Sequence, residues 1–330
     1  MAIAGGEDLQ ACDLVSIAGL LRVCEMEMVL LGGHGPRATF SSRATSTTIL
    51  CHGEVGFPFR GRFVLPAEWC LLGYIHQMPE AGWCHGTPLE SGVAFLLSPE
   101  GISEFKLGAH ARLTVVLVPV ERLHAHLIAL EPHQPAQLAR RLSLFKLNQG
   151  AQATNLREHF LGIGARLVQA DDAAGNTEVA EAEVDALIAS YLIAGVAASA
   201  DDRPQCSRGR RTHYLVVQRT EQFMRANIRR EIYINELCNA AGVSERSLRY
   251  AFDELLGVSP SRYLSLLRLC TACRSLTLSD ASRRSVKSVA LSCGLWDLSR
   301  FADHYRRVFG ELPRQTLMRT PSLESSLSSP

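Results

Sequence analysis

Lysine is nearly missing from the last third of this chain. Between residues 203 and 320 there are 21 Lys+Arg, 20 of them arginine and Lys287 the single lysine, against 10 Asp+Glu. Catalytic signatures are also missing. No P-loop, H-E-x-x-H or G-x-S-x-G occurs, so phosphate-cradling, zinc-protease and nucleophile-elbow chemistry have no motif to rest on, and no catalytic residue is expected. The longest apolar stretch, 184-VDALIASYLIAGVAASA-200, is too short and too alanine-rich for a bilayer span and reads as a buried or partner-facing helix. No signal-peptide pattern precedes the ten irregularly spaced cysteines, so reduced thiols in a cytoplasmic protein without a membrane partner are expected.

The arginine-rich segment carries a net +11, and the remaining 13 bases and 23 acids give −10, which together make the overall +1. A basic part joined to an acidic part points to nucleic-acid binding by one half of the molecule, with an ordinary solvated surface as the alternative. The preference for arginine favours the first, because its planar fork matches phosphate and guanine edges.

Length divides the chain into more than one core. Up to about residue 120, short apolar runs such as 69-WCLLGYIH-76, 92-GVAFLLS-98 and 112-RLTVVLVPV-120 alternate with Gly/Pro turns, the pattern of a sandwich or barrel. Beyond it, 136-AQLARRLSLFKL-147, 155-NLREHFLGIGARLVQA-170 and 178-EVAEAEVDALIASYLIAGV-196 repeat at helical spacing, the last two joined by 171-DDAAGNT-177 as an expected antiparallel pair. The expected segments are a β-rich domain over 1–122, a helical region over 123–200, a polar linker over 201–212, a basic helical domain over 213–320 and a disordered tail over 321–330.

A weak internal repeat lies in the basic domain. Ile234, Leu237 and Gly242 match Val286, Val289 and Gly294, and Leu248, Phe252, Gly257 and Pro260 match Phe301, Tyr305, Gly310 and Pro313, with one residue added in the second turn. Each copy reads as a short helix, a glycine turn and a longer helix closed by Gly and Pro, the layout of a helix-turn-helix. Ser244 and Asp297 stand where the longer helices begin and are the expected N-caps, which makes Asp297 a structural cap rather than a catalytic acid.

These residues resemble the AraC/XylS family of transcription regulators over roughly 215 to 317. The linker pattern is carried by Pro260, Tyr263, Arg268, Ala272 and Leu276, and the closing signature by 289-VALSCGLWDLSRFADHYRRVFGELP-313. Leu295 replaces the usual phenylalanine, and Asp297 stands where an uncharged polar residue or histidine is common. The resemblance implies an α+β protein: an N-terminal cupin-like β-barrel as the effector-sensing domain (1–122), a following helix pair in a dimerisation region (123–200), then an all-α DNA-binding domain (213–320) of two helix-turn-helix units joined by the 261–277 helix. It implies recognition helices in adjacent major grooves, about 34 Å apart. Arg246, Arg249, Tyr250, Ser299, Arg300 and Asp303 are the expected base contacts, each arginine having phosphate as its alternative, and Asp303 having an alternative role in holding Arg300 or Arg307. Ser285, Lys287, Trp296, Arg306 and Arg307 are the expected phosphate contacts, with Trp296 alternatively closing the core.

The implied protein is a ligand-responsive homodimer on double-stranded DNA with no cofactor; activation, with RNA polymerase as the partner, is the commoner mode among similar proteins, and repression is the alternative because no residue fixes the sign. The effector is a small molecule that the sequence does not identify. A metal- or redox-responsive version is the alternative, resting on His76, Cys84 and His85 or on Cys270 and Cys273, but neither group has a full ligand set and no metal is expected. His124 and His126 read as helix-start residues, and Trp69 and Trp83 as core or pocket lining. A DNA-alkylation-repair enzyme lacks support, since Trp83-Cys84-His85 has no flanking Pro and Arg.

Overall fold

A computed structural model of the chain describes residues 3–10, 17–32, 37–45, 47–130, 142–169 and 177–319. Among the described residues the chain divides into two compact units, the first built mainly from residues within 37–207 and the second mainly from residues 28–32 and 208–319.

The first unit holds β1 (Ile3–Gln10), β3 (Arg37–Ala44), β4 (Ile49–Val55), β5 (Phe59–Val64), β6 (Trp69–Gln77), β7 (Gly82–Cys84), β8 (Thr87–Leu89), β9 (Ala94–Leu97), β10 (Ile102–Leu107), β11 (Ala111–Pro119) and β12 (Leu142–Phe145), while β2 spans Glu27–Leu30. One sheet runs β1-β3-β4-β11-β6-β9-β12, and a second contains β5-β10-β7-β8. Alternation along the strands gives the larger sheet two apolar faces. On one, Phe95 lies flat over its register partner Gly73, where a Cβ would sit 2.1 Å from the ring. On the other, Leu72, Val116 and Val118 pack under α2 (Ala151–Gln169) and α3 (Thr177–Ala197) through Phe160, Ile163, Leu187 and Ile188. Helix α1 (Val120–Leu130) is tied to α3 by Arg122, which donates to Asp185 at 2.8 Å and pairs with Glu181, and by His126, 3.0 Å from Asp185. His124 and His126 both lie on α1.

The 136–147 segment is not one helix: Leu142–Phe145 is strand β12, in register with β9 from Leu142↔Leu97 to Phe145↔Ala94. Leu-Ser-Leu-Phe satisfies strand alternation as well as helical spacing, and the open edge of β9 supplies ladder partners that a helix would leave unpaired. Helix α4 (Arg208–Ala226) begins inside the stretch expected as linker. The 171–176 link and the 321–330 tail lie outside the described residues.

The second unit continues with α5 (Ile234–Ala241), α6 (Glu245–Leu256), α7 (Pro260–Thr277), α8 (Val286–Ser292), α9 (Leu298–Phe309) and α10 (Pro313–Met318). The two halves of the sequence repeat share their backbone: Gly242 and Gly294 have φ of 70° and 72°, Gly257 and Gly310 of 70° and 78°. Helix α7 is buried around most of its circumference, by Tyr263, Leu266, Leu269, Ala272, Cys273 and Leu276, as expected of a helix that joins two units. Leu30 N–H, from the N-terminal segment, donates to Cys270 Sγ at 3.4 Å. Among the described residues, no helix is long and apolar enough to cross a membrane, and the 184–197 run lies within α3.

Candidate nucleic-acid interface

In the first helix-turn-helix, Ser244 Oγ accepts from Ser247 N–H at 3.3 Å and starts α6. Leu248, Ala251, Phe252 and Leu255 form its buried stripe, each at or near zero exposure, and each large apolar side chain contributes about 1.5–3 kcal/mol. At 100° per residue, Arg246 and Tyr250 then fall opposite that stripe and Arg249 on its flank, and all three are exposed. The Arg249 fork is engaged by Glu245 of the preceding turn, at 2.9 Å from Nε and 2.5 Å from Nη2. The exposed Tyr250 ring meets the edge of His213 at 5.2 Å. His213 pairs with Glu254, which Arg210 also approaches at 3.7 Å, so the first turns of α4 brace α6.

In the second, Ser285 Oγ accepts from Ser288 N–H at 3.1 Å, and Ser288 Oγ accepts from Ser285 N–H at 3.2 Å. In this reciprocal capping the Ser285 hydroxyl only accepts, which leaves its O–H as a donor; Lys287 beside it is exposed. Asp297 Oδ1 accepts from Arg300 N–H at 3.0 Å and starts α9, whose buried stripe is Phe301, Tyr305, Val308 and Phe309. Ser299, Arg300, Asp303, Arg306 and Arg307 are exposed around it. Trp296 is 57% exposed and does not close the core. Arg307 Nε donates to the backbone carbonyl of Asp303 at 3.3 Å. Arg306 and Arg307 occupy the last turn, where cations match the helix dipole.

The two units are held by α7. Tyr263 packs edge-on against Phe252 at 5.7 Å, and Arg268 donates to the carbonyls of Ile228 (3.1 Å) and Arg230. Burial, foremost, lowers the Arg268 pKa from its ordinary value. The linker arginine is thus a brace across the unit. Tyr305 Oη lies 2.8 Å from Thr316 Oγ1, which fastens α10 to α9.

A helix-turn-helix domain family matches residues 237–319. The chain is 38% identical over 117 residues to the XylDLEGF operon transcriptional activator 2 of Pseudomonas putida, covering 34% of this chain and 74% of that relative. The chain belongs to the AraC/XylS family of transcription regulators. A second P. putida relative of this AraC-family chain, the XylDLEGF operon transcriptional activator, is 37% identical over 100 residues, and the match spans 31% of its length. Among solved structures, a probable AraC family transcriptional regulator from Rhodopseudomonas palustris CGA009 is 37% identical, with a TM-score of 0.29, covering 31% of this chain and 94% of that one.

The first unit of this AraC-family chain separates the residues considered for a metal. His76 (β6) and His52 (β4) converge from neighbouring strands on Thr114 of β11, each ring nitrogen 2.8 Å from its Oγ1. Cys84 ends β7, and His85 with Gly86 forms the two-residue turn to β8, at φ of 49° and 79°. Among the described residues, no group of three or more His, Cys, Asp or Glu is placed to hold a metal. Cys270 and Cys273 are buried in α7, and burial pushes the Cys270 thiol up to about 12. Trp83 is buried with the Arg60 guanidinium 4.9 Å from its ring centroid, whereas Trp69 is half-buried. Sequence reasoning missed His213, Arg210, Glu254 and the His52–Thr114–His76 cluster. Their hydrogen-bond and ion-pair partners lie 38 to 62 residues away along the chain, and no local pattern marks them.

Proposed function

We propose that this chain is a homodimeric, effector-responsive activator that reads two successive major grooves of double-stranded DNA with α6 and α9. The observation that carries it is the matched construction of these helices: each is capped, buries an apolar stripe that includes an aromatic ring and turns arginine outward, at Arg246 and Arg249 in one and Arg300 in the other. Arg246, Arg249, Tyr250, Ser299, Arg300 and Asp303 read base edges. Lys287, Trp296, Arg306 and Arg307, with the Ser285 turn, hold phosphates and supply salt-dependent affinity. Arg249 reaches a base by exchanging Glu245, an exposed pair worth about 0.3–0.5 kcal/mol.

The two sheets form a cupin-like barrel that takes a small-molecule effector, and its occupancy shifts the population of the DNA-competent arrangement. The exposed apolar side chains Leu161 and Val168 on α2, and Ile193 and Val196 on α3, support a helical homodimer contact. The protein acts in the cytoplasm with RNA polymerase, as a regulator rather than an enzyme, without a cofactor. The buried thiols of α7 weigh against redox sensing there.

Genome-wide footprinting of the wild type beside an Arg246→Ala/Arg300→Ala variant tests this reading. Paired motif boxes about one helical turn apart, lost in the variant, are expected. Equal, diffuse occupancy by both proteins overturns the base-contact assignments.

A further inference from the structure

The first turn of α7 reaches the second recognition helix. Arg262 Nη1 lies 2.7 Å from His304 Nε2. A guanidinium nitrogen only donates, so this imidazole nitrogen is the acceptor, and His304 is neutral as it stands. Arg300 and Arg307 lie four residues before and three after His304 on α9, which places them on its face of the helix. Arg262 touches the half-buried imidazole from α7, while Arg300 and Arg307 flank it along α9 and act on it electrostatically. The His304 pKa is accordingly lowered, by burial first, then by Arg262, Arg307 and Arg300. These three are the charged groups acting on it; Asp303, on the same helix, lies about 100° around from it.

A helix that only needed joining to its neighbour would not gather like charges at an exposed surface. Such an arrangement is suited to an anion with several acceptor oxygens, and guanidinium forks fit phosphate. Resting on the DNA-binding reading above, we propose that Arg262, Arg300 and Arg307 form one backbone-phosphate site around His304, whose imidazole takes up a proton when the phosphate arrives. The site joins the linker helix to the second recognition helix on a single phosphate group. It thereby registers α9 in its groove and assigns to Arg262 a role that the helix-turn-helix signature does not contain. Arg300 then contributes to phosphate positioning as well as to base reading.

The proton linkage follows from electrostatics. Without DNA, three cations disfavour imidazolium; a bound phosphate reverses the local field and favours it. Binding therefore tightens as pH falls from about 8 towards 6.

The test is binding of the full-length protein to a random-sequence duplex two helical turns long, by fluorescence anisotropy across KCl concentration and pH. For Arg262→Ala the slope of log affinity against log salt is expected to fall by about one. Arg262→Lys, which keeps the charge, retains that slope. His304→Gln, which keeps an acceptor, is expected to bind like the wild type at high pH and to lose the gain at low pH. An unchanged salt slope in Arg262→Ala, with a lower melting temperature, overturns the site and leaves Arg262 as a tie between helices. A pH gain that persists in His304→Gln overturns the proton linkage. Failure of the wild type to bind the duplex at all sinks the DNA-binding reading itself, a result separable from both.

Discussion

Arg268 and Gly294 interlock where the linker helix passes the second helix turn. A Cβ on Gly294 would lie 2.3 Å from the Ile228 carbonyl oxygen and 3.1 Å from Arg268 Nε, and the residue sits at φ +72°. Backbone conformation and close approach both demand glycine here.

Gly294→Ala is therefore expected to destabilise the DNA-binding unit by about 2 kcal/mol or more. Denaturant unfolding of the full chain, with DNA affinity measured beside it, checks this. A variant within error of the wild type would mean that the Ile228–Arg268 contact yields easily.

Asp297→Ala removes the acceptor for Arg300 N–H. The expected cost is about 1 kcal/mol of stability, with Asp297→Ser recovering most of it. Full stability in the alanine variant would show that the cap is dispensable.

Glu245→Ala releases the Arg249 fork. Stability should change by less than about 0.5 kcal/mol, while DNA affinity rises roughly two-fold, because Arg249 no longer exchanges a carboxylate for its target. Weaker binding to operator would place Arg249 outside the contact set.

The His76 pKa is lowered to about 4 from an ordinary 6.5, by burial first, then by His52 and Arg112. The unfolded chain binds this proton first, so the contribution is present above pH 6.5 and lost as pH falls through that window towards 4. Thermal melts should show the first unit weakening in that range, with a shallower dependence in His76→Gln. A slope unaltered by the substitution would assign the acid sensitivity to other groups.

Burial keeps the Cys270 thiol protonated, with its pKa near 12. Native protein treated with iodoacetamide at neutral pH should leave Cys270 and Cys273 unlabelled by mass spectrometry until denaturant is added. Rapid labelling, with altered DNA binding, would favour redox sensing.

The second unit was legible because its information is local. Ser244 and Asp297 precede their helices, Leu248/Phe252 and Phe301/Tyr305 sit one turn apart, and glycine marks each left-handed turn. The 136–147 segment was misread because Leu142, Leu144 and Phe145 fit two periods, and only the open edge of β9 decides between them. Sequence can place Arg268 on the linker helix, but not aim it at the carbonyls of Ile228 and Arg230, 38 to 40 residues away.

By itself, then, the sequence determined the paired helix-turn-helix units, their caps and the arginine that faces outward, because each depends on spacing within one or two turns. Tertiary structure alone decided which side chains share a partner: His52 and His76 on Thr114, His213 on Tyr250 and Glu254, Arg262 on His304. Strand register and helix crossing bring those groups together, and both are settled by burial over the whole unit rather than by any neighbouring residue.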